Sequence, residues 1–292
     1  MGGVYTVELN GEPVECALRG RIKLDKSIGR VAVGDVVEVE RADDASCVIV
    51  DVMPRSNRIA RRKGGGRREQ VIAANADQLA AVFALTRPEP VYSLVDRFLV
   101  LAEANDIPAF IVANKVDLSS KAEGRTKFGR YEGIGYGVIY VSAKEGVRID
   151  ELGERLAGHV TIFVGPSGAG KSSLLNALQP GLGLRVGEVS KSLQRGRHTT
   201  VAACLHPLDR GGYVVDTPGL GTLRFSEIGE KKLDVCFPEF RPHLGHCKFD
   251  DCVHLHEPGC AVREALSRGD ITESRYDSYV RILEEREEER PY

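Results

Sequence analysis

The stretch TIFVGPSGAGKSSLL, residues 161–175, constrains the fold of this chain more than any other. A β-branched apolar run leads into a GxxxxGKS loop framed by Gly165 and Gly170, and a helix-forming segment follows. The backbone N–H groups of such a loop close around phosphate oxygens, and the helix directs its positive N-terminal end at the anion. The pattern predicts a strand, a phosphate-binding loop and a helix within an α/β domain.

Two side chains of this loop predict how a polyphosphate and its Mg²⁺ are held. Lys171 can reach the β- and γ-phosphates, and the Ser172 hydroxyl offers a ligand to the metal. The expected phosphate contacts are Gly165, Pro166, Ser167, Gly168, Ala169, Gly170, Lys171, Ser172 and Ser173. The alternative, a glycine-rich turn with a chance lysine, does not account for the strand and helix on either side.

A first motif that selects a base comes before this loop. Residues 76–118 indicate a strand, a helix and a strand in βαβ order, and the second strand ends at Asn114-Lys115-Val116-Asp117. The Asp117 carboxylate can accept both adjacent donors of a guanine edge, and adenine offers no such pair. Asn114 would join neighbouring loops, and the Lys115 methylenes would cover the ring.

A second base motif, Ser142-Ala143-Lys144, ends the next strand, where the Ala143 N–H can donate to guanine O6. The N-K-x-D tetrapeptide alone is common in ordinary loops, so this second motif decides for guanine. Ligands of open α/β sheets collect at the carboxyl ends of strands, where both motifs and the phosphate loop fall.

The magnesium and switch residues follow the phosphate loop. Thr199 or Thr200 can complete the Mg²⁺ shell, and we favour Thr200. Asp216 ends a strand and would hold Mg²⁺ through water, while the Gly219 N–H would sense the γ-phosphate. The segments before and after residues 210–212 are predicted to be two strands that form a hairpin. All parts of a GTPase site are therefore present.

The order of these parts is unusual, because the guanine motifs precede the phosphate loop. The sequence predicts a circularly permuted domain, which folding tolerates since domain termini commonly lie close together. The helical segment 145–159 would bridge the original ends, and the second switch would run directly into the chain after Leu223.

Hydrolysis needs a group that positions water. Leu220 follows Gly219, where other GTPases often have a glutamine, and an aliphatic side chain cannot orient water. We expect slow intrinsic turnover and nominate His198 as the water-positioning residue. A solvent-facing switch residue is the alternative for His198. The expected catalytic set is His198, Lys171 and Thr200.

The N-terminal region predicts a small all-β unit. Residues 4–52 contain four segments of alternating or clustered apolar residues separated by turn signals, which favours a five-stranded OB-type barrel. Such barrels often bind oligonucleotides, and a barrel without a ligand is the alternative.

A basic stretch follows this unit. Arg55–Arg68 has seven basic residues, no acidic ones and three glycines, which predicts a flexible cationic linker without regular structure. It would contact RNA phosphates, and a solvated charge run is the alternative. The proposed RNA contacts are Arg58, Arg61, Arg62, Lys63, Arg67 and Arg68.

The C-terminal region carries a C-x₄-C-x-H-x₅-C spacing that predicts one structural zinc ion. The ligands would be Cys247, Cys252, His254 and Cys260. Unrelated reduced thiols are the alternative, and possible substitute ligands are His243, His246 and His256. The other cysteines, expected to be ordinary small side chains, are Cys16, Cys47, Cys204 and Cys236.

Two helices follow the metal motif. The first starts at Ala261 and stops at Gly269, and the second is expected to pack inward. The inward face would contain Tyr276, Tyr279, Val280 and Leu283.

Composition limits the function classes. The chain has 292 residues, more than one core usually organises, and its net charge of −2 requires any attraction to nucleic acid to come from a local patch. The sequence lacks a long apolar run and a secretory pattern, and its odd number of cysteines suits a reducing compartment. We therefore expect a cytoplasmic protein without a membrane partner.

These motifs together resemble the ribosome small-subunit-dependent GTPase A family over nearly the whole chain. The resemblance is carried by GRVAVGDVVEV, NKVD, VSAK, GPSGAGKSSLLN, GRHTT, DTPG and the cysteine cluster, in the family's order. It implies an OB barrel with a basic linker at 1–66, a circularly permuted GTPase domain at 67–226 and a zinc-binding helical domain at 227–292.

The resemblance also implies that the 30S subunit stimulates GTP hydrolysis to GDP and phosphate during its late maturation, with 16S rRNA as the contact surface. It suggests the water-positioning role for His198 as well, and we expect a monomer. Two other functions stay open: a nucleotide-gated RNA-binding module with incidental hydrolysis, and a signalling GTPase without RNA. The barrel and the cationic linker argue against the second of these.

Overall fold

The computed structural model describes residues 4–20, 31–41, 46–62, 69–184, 203–217 and 232–288. The chain divides into an N-terminal unit, Met1–Ala76, and a C-terminal unit, Asp77–Tyr292. The division into three domains at 1–66, 67–226 and 227–292 stays a prediction.

Four short strands of the N-terminal unit form one sheet in the order β1-β2-β4-β3. They are β1 (Val4–Leu9), β2 (Glu12–Leu18), β3 (Val37–Arg41) and β4 (Cys47–Val52). The four segments predicted from alternation are these strands. Every second side chain points toward a core that contains Cys16, Cys47 and Ile49. A closed, five-stranded barrel stays a prediction.

The expectation that Cys16 and Cys47 are ordinary small side chains is wrong. Strands β2 and β4 pair in parallel with Cys16 opposite Cys47, which brings the two Cα atoms to 4.4 Å. The two buried residues form a disulfide. Their separation of 31 residues gave no signal, because the pairing joins strands that are not consecutive in the chain.

The predicted lack of regular structure in Arg55–Arg68 is also wrong in part. Strand β5 (Arg58–Arg62) pairs with β6 (Glu69–Ala74) in an antiparallel two-stranded sheet. Ile59 lies opposite Ala73, and both are fully buried, so burial of apolar residues holds this basic segment in a strand. Residues 63–68 lie outside the described residues.

The C-terminal unit is built on a six-stranded sheet in the order β11-β12-β10-β7-β8-β9. Its strands are β7 (Gln78–Ala84), β8 (Ala109–Asn114), β9 (Gly137–Tyr140), β10 (Val160–Val164), β11 (Cys204–Pro207) and β12 (Tyr213–Asp216). All neighbouring pairs are parallel except the β11–β12 hairpin. Every residue of β7 is buried, as is typical of a strand covered on both faces.

The part of the chain that the structure describes contains six α-helices. They are α1 (Tyr92–Ala104), α2 (Lys121–Gly133), α3 (Ile149–Leu156), α4 (Lys171–Leu178), α5 (Ala261–Arg268) and α6 (Glu273–Glu288). Short 3-10 turns lie at Val116–Leu118, Asp234–Cys236 and Pro238–His243. Gly269 ends α5 with a left-handed φ of 82°, as its position predicts.

The buried face of α6 differs from the prediction. Of the expected residues Tyr276, Tyr279, Val280 and Leu283, only Tyr279 is buried. Arg275, Ser278 and Ile282 complete the buried face. The helix is turned toward polar partners that the apolar pattern did not reveal. Within the described residues, no helix is long and apolar enough to cross a bilayer.

Candidate nucleotide-binding site and metal centre

The phosphate loop, Gly165–Ser172, joins β10 to α4 and is framed by two glycines that no other residue can replace without strain. Gly165 has a φ of 149°, and a Cβ there would lie 2.1 Å from the Val82 carbonyl oxygen. Gly170 has a φ of 93°, and its Cβ would lie 2.3 Å from Asn114 Nδ2. The loop is therefore packed against β7 and against the first guanine motif.

The Lys171 ammonium lies inside the phosphate loop. Its Nζ donates to the carbonyl oxygens of Gly165 at 2.7 Å and Pro166 at 3.1 Å. Burial lowers the pKa of Lys171, and the negative charge of Asp216 opposes that effect. Because phosphate oxygens are stronger acceptors than carbonyls, this cation is well placed to pair with an incoming phosphate.

Asp216 ends β12 with a carboxylate that has room for a further partner. Burial raises its pKa, although Lys171 and His206 act in the opposite direction. The buried Oδ1 atom has no hydrogen-bond partner among the described residues. An unpartnered carboxylate oxygen fits the predicted role of holding hydrated Mg²⁺. The predicted residues His198, Thr200 and Gly219 lie outside the described residues.

Asn114 connects the phosphate loop to both guanine motifs. Its side chain is 1% exposed, and Nδ2 donates to the Ala169 carbonyl at 2.9 Å. Its Oδ1 accepts from the backbone N–H groups of Lys115 at 2.8 Å and Ala143 at 3.1 Å. The Ala143 N–H, which we expected to donate to guanine, donates to Asn114 here.

The two guanine motifs also meet at Asp117. Ser142 Oγ donates to Asp117 Oδ1 at 2.6 Å and itself accepts from the Glu145 N–H at 3.1 Å. This hydroxyl fixes the carboxylate that the sequence nominates for base recognition. Lys144 lies at the exposed rim of the site and pairs with Glu145 at 3.0 Å.

Lys115 joins a third segment to this arrangement. Its backbone is left-handed, with a φ of 67°, and its Nζ donates to the carbonyl oxygens of Gly168 at 2.8 Å and of Arg87. Burial lowers the pKa of Lys115, and Asp117 opposes that effect. The sequence did not indicate Arg87, because it contributes its backbone carbonyl, a group that every residue type has. Its only signal was its position just after β7.

The predicted metal ligands lie together in the C-terminal region. One ligand atom from each of Cys247, Cys252, His254 and Cys260 lies within 4.8 Å of all the others. His254 Nδ1 is 3.6, 3.5 and 3.4 Å from the three sulfur atoms, and the sulfurs of Cys247 and Cys260 are 3.9 Å apart. Tetrahedral zinc bonds of about 2.1–2.3 Å place ligand atoms roughly 3.6–3.8 Å apart. The four residues therefore fit one metal ion.

The sequence analysis missed two acidic residues here: Glu257, which supports this metal loop, Cys247–Cys260, and Asp234, which lies beside it. Glu257 accepts from three backbone N–H groups within the loop at 2.9–3.1 Å. Burial acts to raise the pKa of Glu257, but these N–H groups outweigh it and lower the pKa to about 2. Asp234 Oδ2 lies 3.6 Å from His254 Nε2, on the far side of the ring from the sulfurs.

Only part of the proposed RNA-binding set is described. Arg58, Arg61 and Arg62 lie in β5, in the N-terminal unit, whereas Lys63, Arg67 and Arg68 lie outside the described residues. Arg55 is not part of a free linker, because its guanidinium makes a two-pronged pair with Asp35 at 2.7 and 2.8 Å.

The sheet order and the site together define the class of protein. The central strand β7 comes first in the C-terminal unit, and the phosphate loop comes after both guanine motifs. This arrangement is that of a circularly permuted GTPase, which confirms the predicted fold class. Residues 52–226 match the family described as RsgA GTPase. The chain belongs to this family of GTP-hydrolysing enzymes.

Several relatives resemble the chain over almost its full length. A protein of Gemmatimonas aurantiaca is 45% identical over 97% of this chain and 94% of its own length. It is named small ribosomal subunit biogenesis GTPase RsgA, as is a Moorella thermoacetica protein that is 44% identical, with 97% and 94% covered.

Two solved structures share the fold. The crystal structure of YjeQ from Thermotoga maritima has a TM-score of 0.78 at 37% identity and covers 99% of this chain and 95% of its own. The structure of YloQ, described as a circularly permuted GTPase, has a TM-score of 0.75 at 32% identity and covers 99% and 93%.

Proposed function

We propose that this GTPase binds the small ribosomal subunit, assists its late maturation, and hydrolyses GTP to GDP and phosphate at a rate that the subunit stimulates. The names of the relatives support the subunit as partner. The observation that carries the nucleotide assignment is the buried Asn114 amide, which bonds to the phosphate loop and to the second guanine motif at once. Such a bond makes base recognition and phosphate binding parts of one site.

Each part of this site has a proposed role. Asp117, held by Ser142, accepts the paired guanine donors, and the Ala143 N–H, which donates to Asn114 in the structure, is the proposed donor to guanine O6. The loop N–H groups and Lys171 bind the phosphates. Mg²⁺, if bound, would offset the negative charge that develops on the phosphate oxygens. Its proposed ligands are Ser172, Thr200 and, through water, Asp216.

His198 is the proposed water-positioning residue. This assignment rests on its place beside Thr199 and Thr200 and on Leu220, whose aliphatic side chain cannot orient water. We further propose that Cys247, Cys252, His254 and Cys260 hold one structural Zn²⁺, because three thiolates and one imidazole leave no open position.

The contact with the subunit is proposed to involve 16S rRNA. The basic residues of β5 and of the following segment supply the positive charge that the whole chain, at a net charge of −2, does not. The protein would act as a monomer. A role in ribosome assembly also implies a cytoplasmic protein.

The test is GTP turnover of the full chain with and without purified small subunits. We expect slow turnover alone and an increase of about 10³- to 10⁵-fold with subunits, the range of activation in trans. His198→Ala should lose most of this increase while keeping nucleotide affinity. Turnover that subunits leave unchanged would favour the signalling GTPase or the RNA-binding module instead.

The base assignment is tested in the same assay by Asp117→Asn. We expect this variant to lose the preference for GTP over ATP, because an amide cannot accept both guanine donors. Asp150→Asn changes an exposed carboxylate on α3 and serves as the matched control. Equal binding of ATP and GTP by the parent protein would contradict the nucleotide assignment.

A further inference from the structure

A buried polar cluster joins three helices on the flank of the C-terminal unit. Arg275 of α6 is 2% exposed, and its Nη1 donates to Asp96 Oδ1 of α1 at 2.8 Å. Tyr131 of α2 donates its hydroxyl to the same oxygen at 2.9 Å, and Ser278 of α6 donates to the other carboxylate oxygen at 2.5 Å. A single carboxylate therefore connects α6 to α2.

The cluster holds Arg275 from a second side. Its Nε and Nη2 donate to the two oxygens of Glu239 at 2.6 and 3.2 Å, and the guanidinium lies 4.6 Å from the centre of the Phe237 ring. Apolar residues in place of a buried ion group are often as stabilising or more so. Stability alone does not explain this cluster, whereas directional bonds that fix the register of α6 against α1 and α2 do.

The same turns of α6 hold the metal loop. Tyr276 donates its hydroxyl to the carbonyl oxygen of His254, a metal-ligand residue, at 2.5 Å. Tyr279 donates to the carbonyl oxygen of Val253 at 2.9 Å. Helix α6 therefore contacts the metal loop through Tyr276 and Tyr279 and the cluster through Arg275.

Helix α2 leads from the cluster to the first guanine motif. It begins at Lys121, three residues after the Val116–Leu118 turn that contains Asp117. Lys127 of α2 also donates to the Leu85 carbonyl at 2.7 Å, and Leu85 donates its N–H to the Asn114 carbonyl at 2.8 Å. A shift of α2 would therefore move the loop that is proposed to recognise guanine.

We propose that the Arg275–Asp96–Tyr131 cluster makes guanine-nucleotide affinity depend on the state of the metal centre. With the metal loop closed, α6 holds α2 and its guanine loop in place. When the loop opens, Tyr276 and Tyr279 no longer have their acceptors, and α6 no longer fixes Asp96 and Tyr131. This inference rests on the proposed guanine site and adds regulation of that site by the metal centre.

The experiment measures the affinity of the full-length, zinc-loaded protein for a fluorescent GDP analogue, before and after a zinc-selective chelator, with Mg²⁺ in excess. Tyr131→Phe removes only the hydroxyl that bonds to Asp96. Tyr140→Phe is the matched control, because its buried hydroxyl has no hydrogen-bond partner among the described residues and its ring lies next to Gly124 of α2. Comparison of the GDP affinities of the variants with and without metal isolates the coupling between the metal centre and the nucleotide site.

We expect chelation to weaken GDP binding by about fivefold or more in the parent and in Tyr140→Phe, within the usual range of coupling between sites. In Tyr131→Phe, GDP binding should be weaker from the start and should change by less than about twofold on chelation.

The inference is overturned if the parent binds GDP equally well without zinc, or if Tyr131→Phe responds to chelation as the parent does. A parent protein that binds ADP as well as GDP would instead overturn the guanine site itself.

Discussion

Asp216 shows how a single residue serves binding at a cost to folding. Its carboxylate is desolvated, which raises its pKa, and one oxygen has no partner among the described residues. A side chain chosen for stability alone would not be an acid at this position. The arrangement is understandable if the oxygen acquires its partner only when the nucleotide and its metal bind.

The substitution Asp216→Asn should therefore stabilise the nucleotide-free protein at pH 7 and lower GTP hydrolysis by about 10²-fold or more. Because the folded-state pKa is raised above its ordinary value of 3.8, ionisation destabilises the folded state as pH rises through the folded pKa. The stability gain should shrink as pH falls toward 3.8. Urea denaturation across this pH range measures the gain.

The control for this prediction is Asp209→Asn, an exposed carboxylate in the same β11–β12 hairpin. It should change neither stability nor hydrolysis. An Asp216→Asn variant that is less stable than the parent at pH 7 would contradict the desolvation argument.

At the scale of elements, the β10–loop–α4 segment depends on its first glycine, Gly165, which allows the chain after β10 to lie against β7. Gly165→Ala should destabilise the protein by more than about 3 kcal/mol and abolish nucleotide binding, since its Cβ would lie 2.1 Å from the Val82 carbonyl oxygen. Thermal unfolding with and without GDP measures both effects.

Gly181 provides the matched comparison, because its φ of 116° is also unfavourable for alanine but its Cβ would meet nothing within 4 Å. Gly181→Ala should cost only about 1–2 kcal/mol and keep nucleotide binding. Equal losses in the two variants would show that backbone strain, and not the close approach of β10 to β7, decides the outcome.

At the scale of the whole molecule, the proposed RNA contacts belong to the N-terminal unit and the nucleotide site to the C-terminal unit. The triple variant Arg61→Ala, Arg62→Ala, Lys63→Ala should weaken binding to the small subunit and flatten its salt dependence. The slope of log affinity against log salt should fall by about 2, or roughly 0.7 for each phosphate that a basic side chain no longer neutralises. Filter binding at several salt concentrations measures this slope.

The comparison variant removes three exposed arginines of the C-terminal unit that pair with local carboxylates. These are Arg148, Arg210 and Arg268. Their replacement by alanine should leave the slope unchanged, because these arginines are not among the proposed RNA contacts. An unchanged slope in the first triple variant would remove the proposed RNA contact at β5.

The sequence by itself determined the circularly permuted GTPase fold, and it predicted the phosphate loop, the two proposed guanine motifs and the four proposed metal ligands. These features depend on local spacing, because the residues of each motif lie close together in the sequence. This holds for Gly165 and Gly170, for Asn114–Asp117 and for the four proposed metal ligands. Backbone geometry and ligand chemistry restrict such patterns to few structures.

Only the tertiary structure decided the Cys16–Cys47 disulfide, the Arg87 carbonyl beside Lys115 and the burial of Arg275 against Asp96. Each contact joins residues that are far apart in the chain, so no periodic sequence pattern predicts it. The contacts arise from a strand pairing, a loop and the rotation of a helix. An arginine within a polar helix predicts an exposed side chain by its type alone. Its burial depends on where two distant carboxylates come to lie, and packing of the whole unit sets that position.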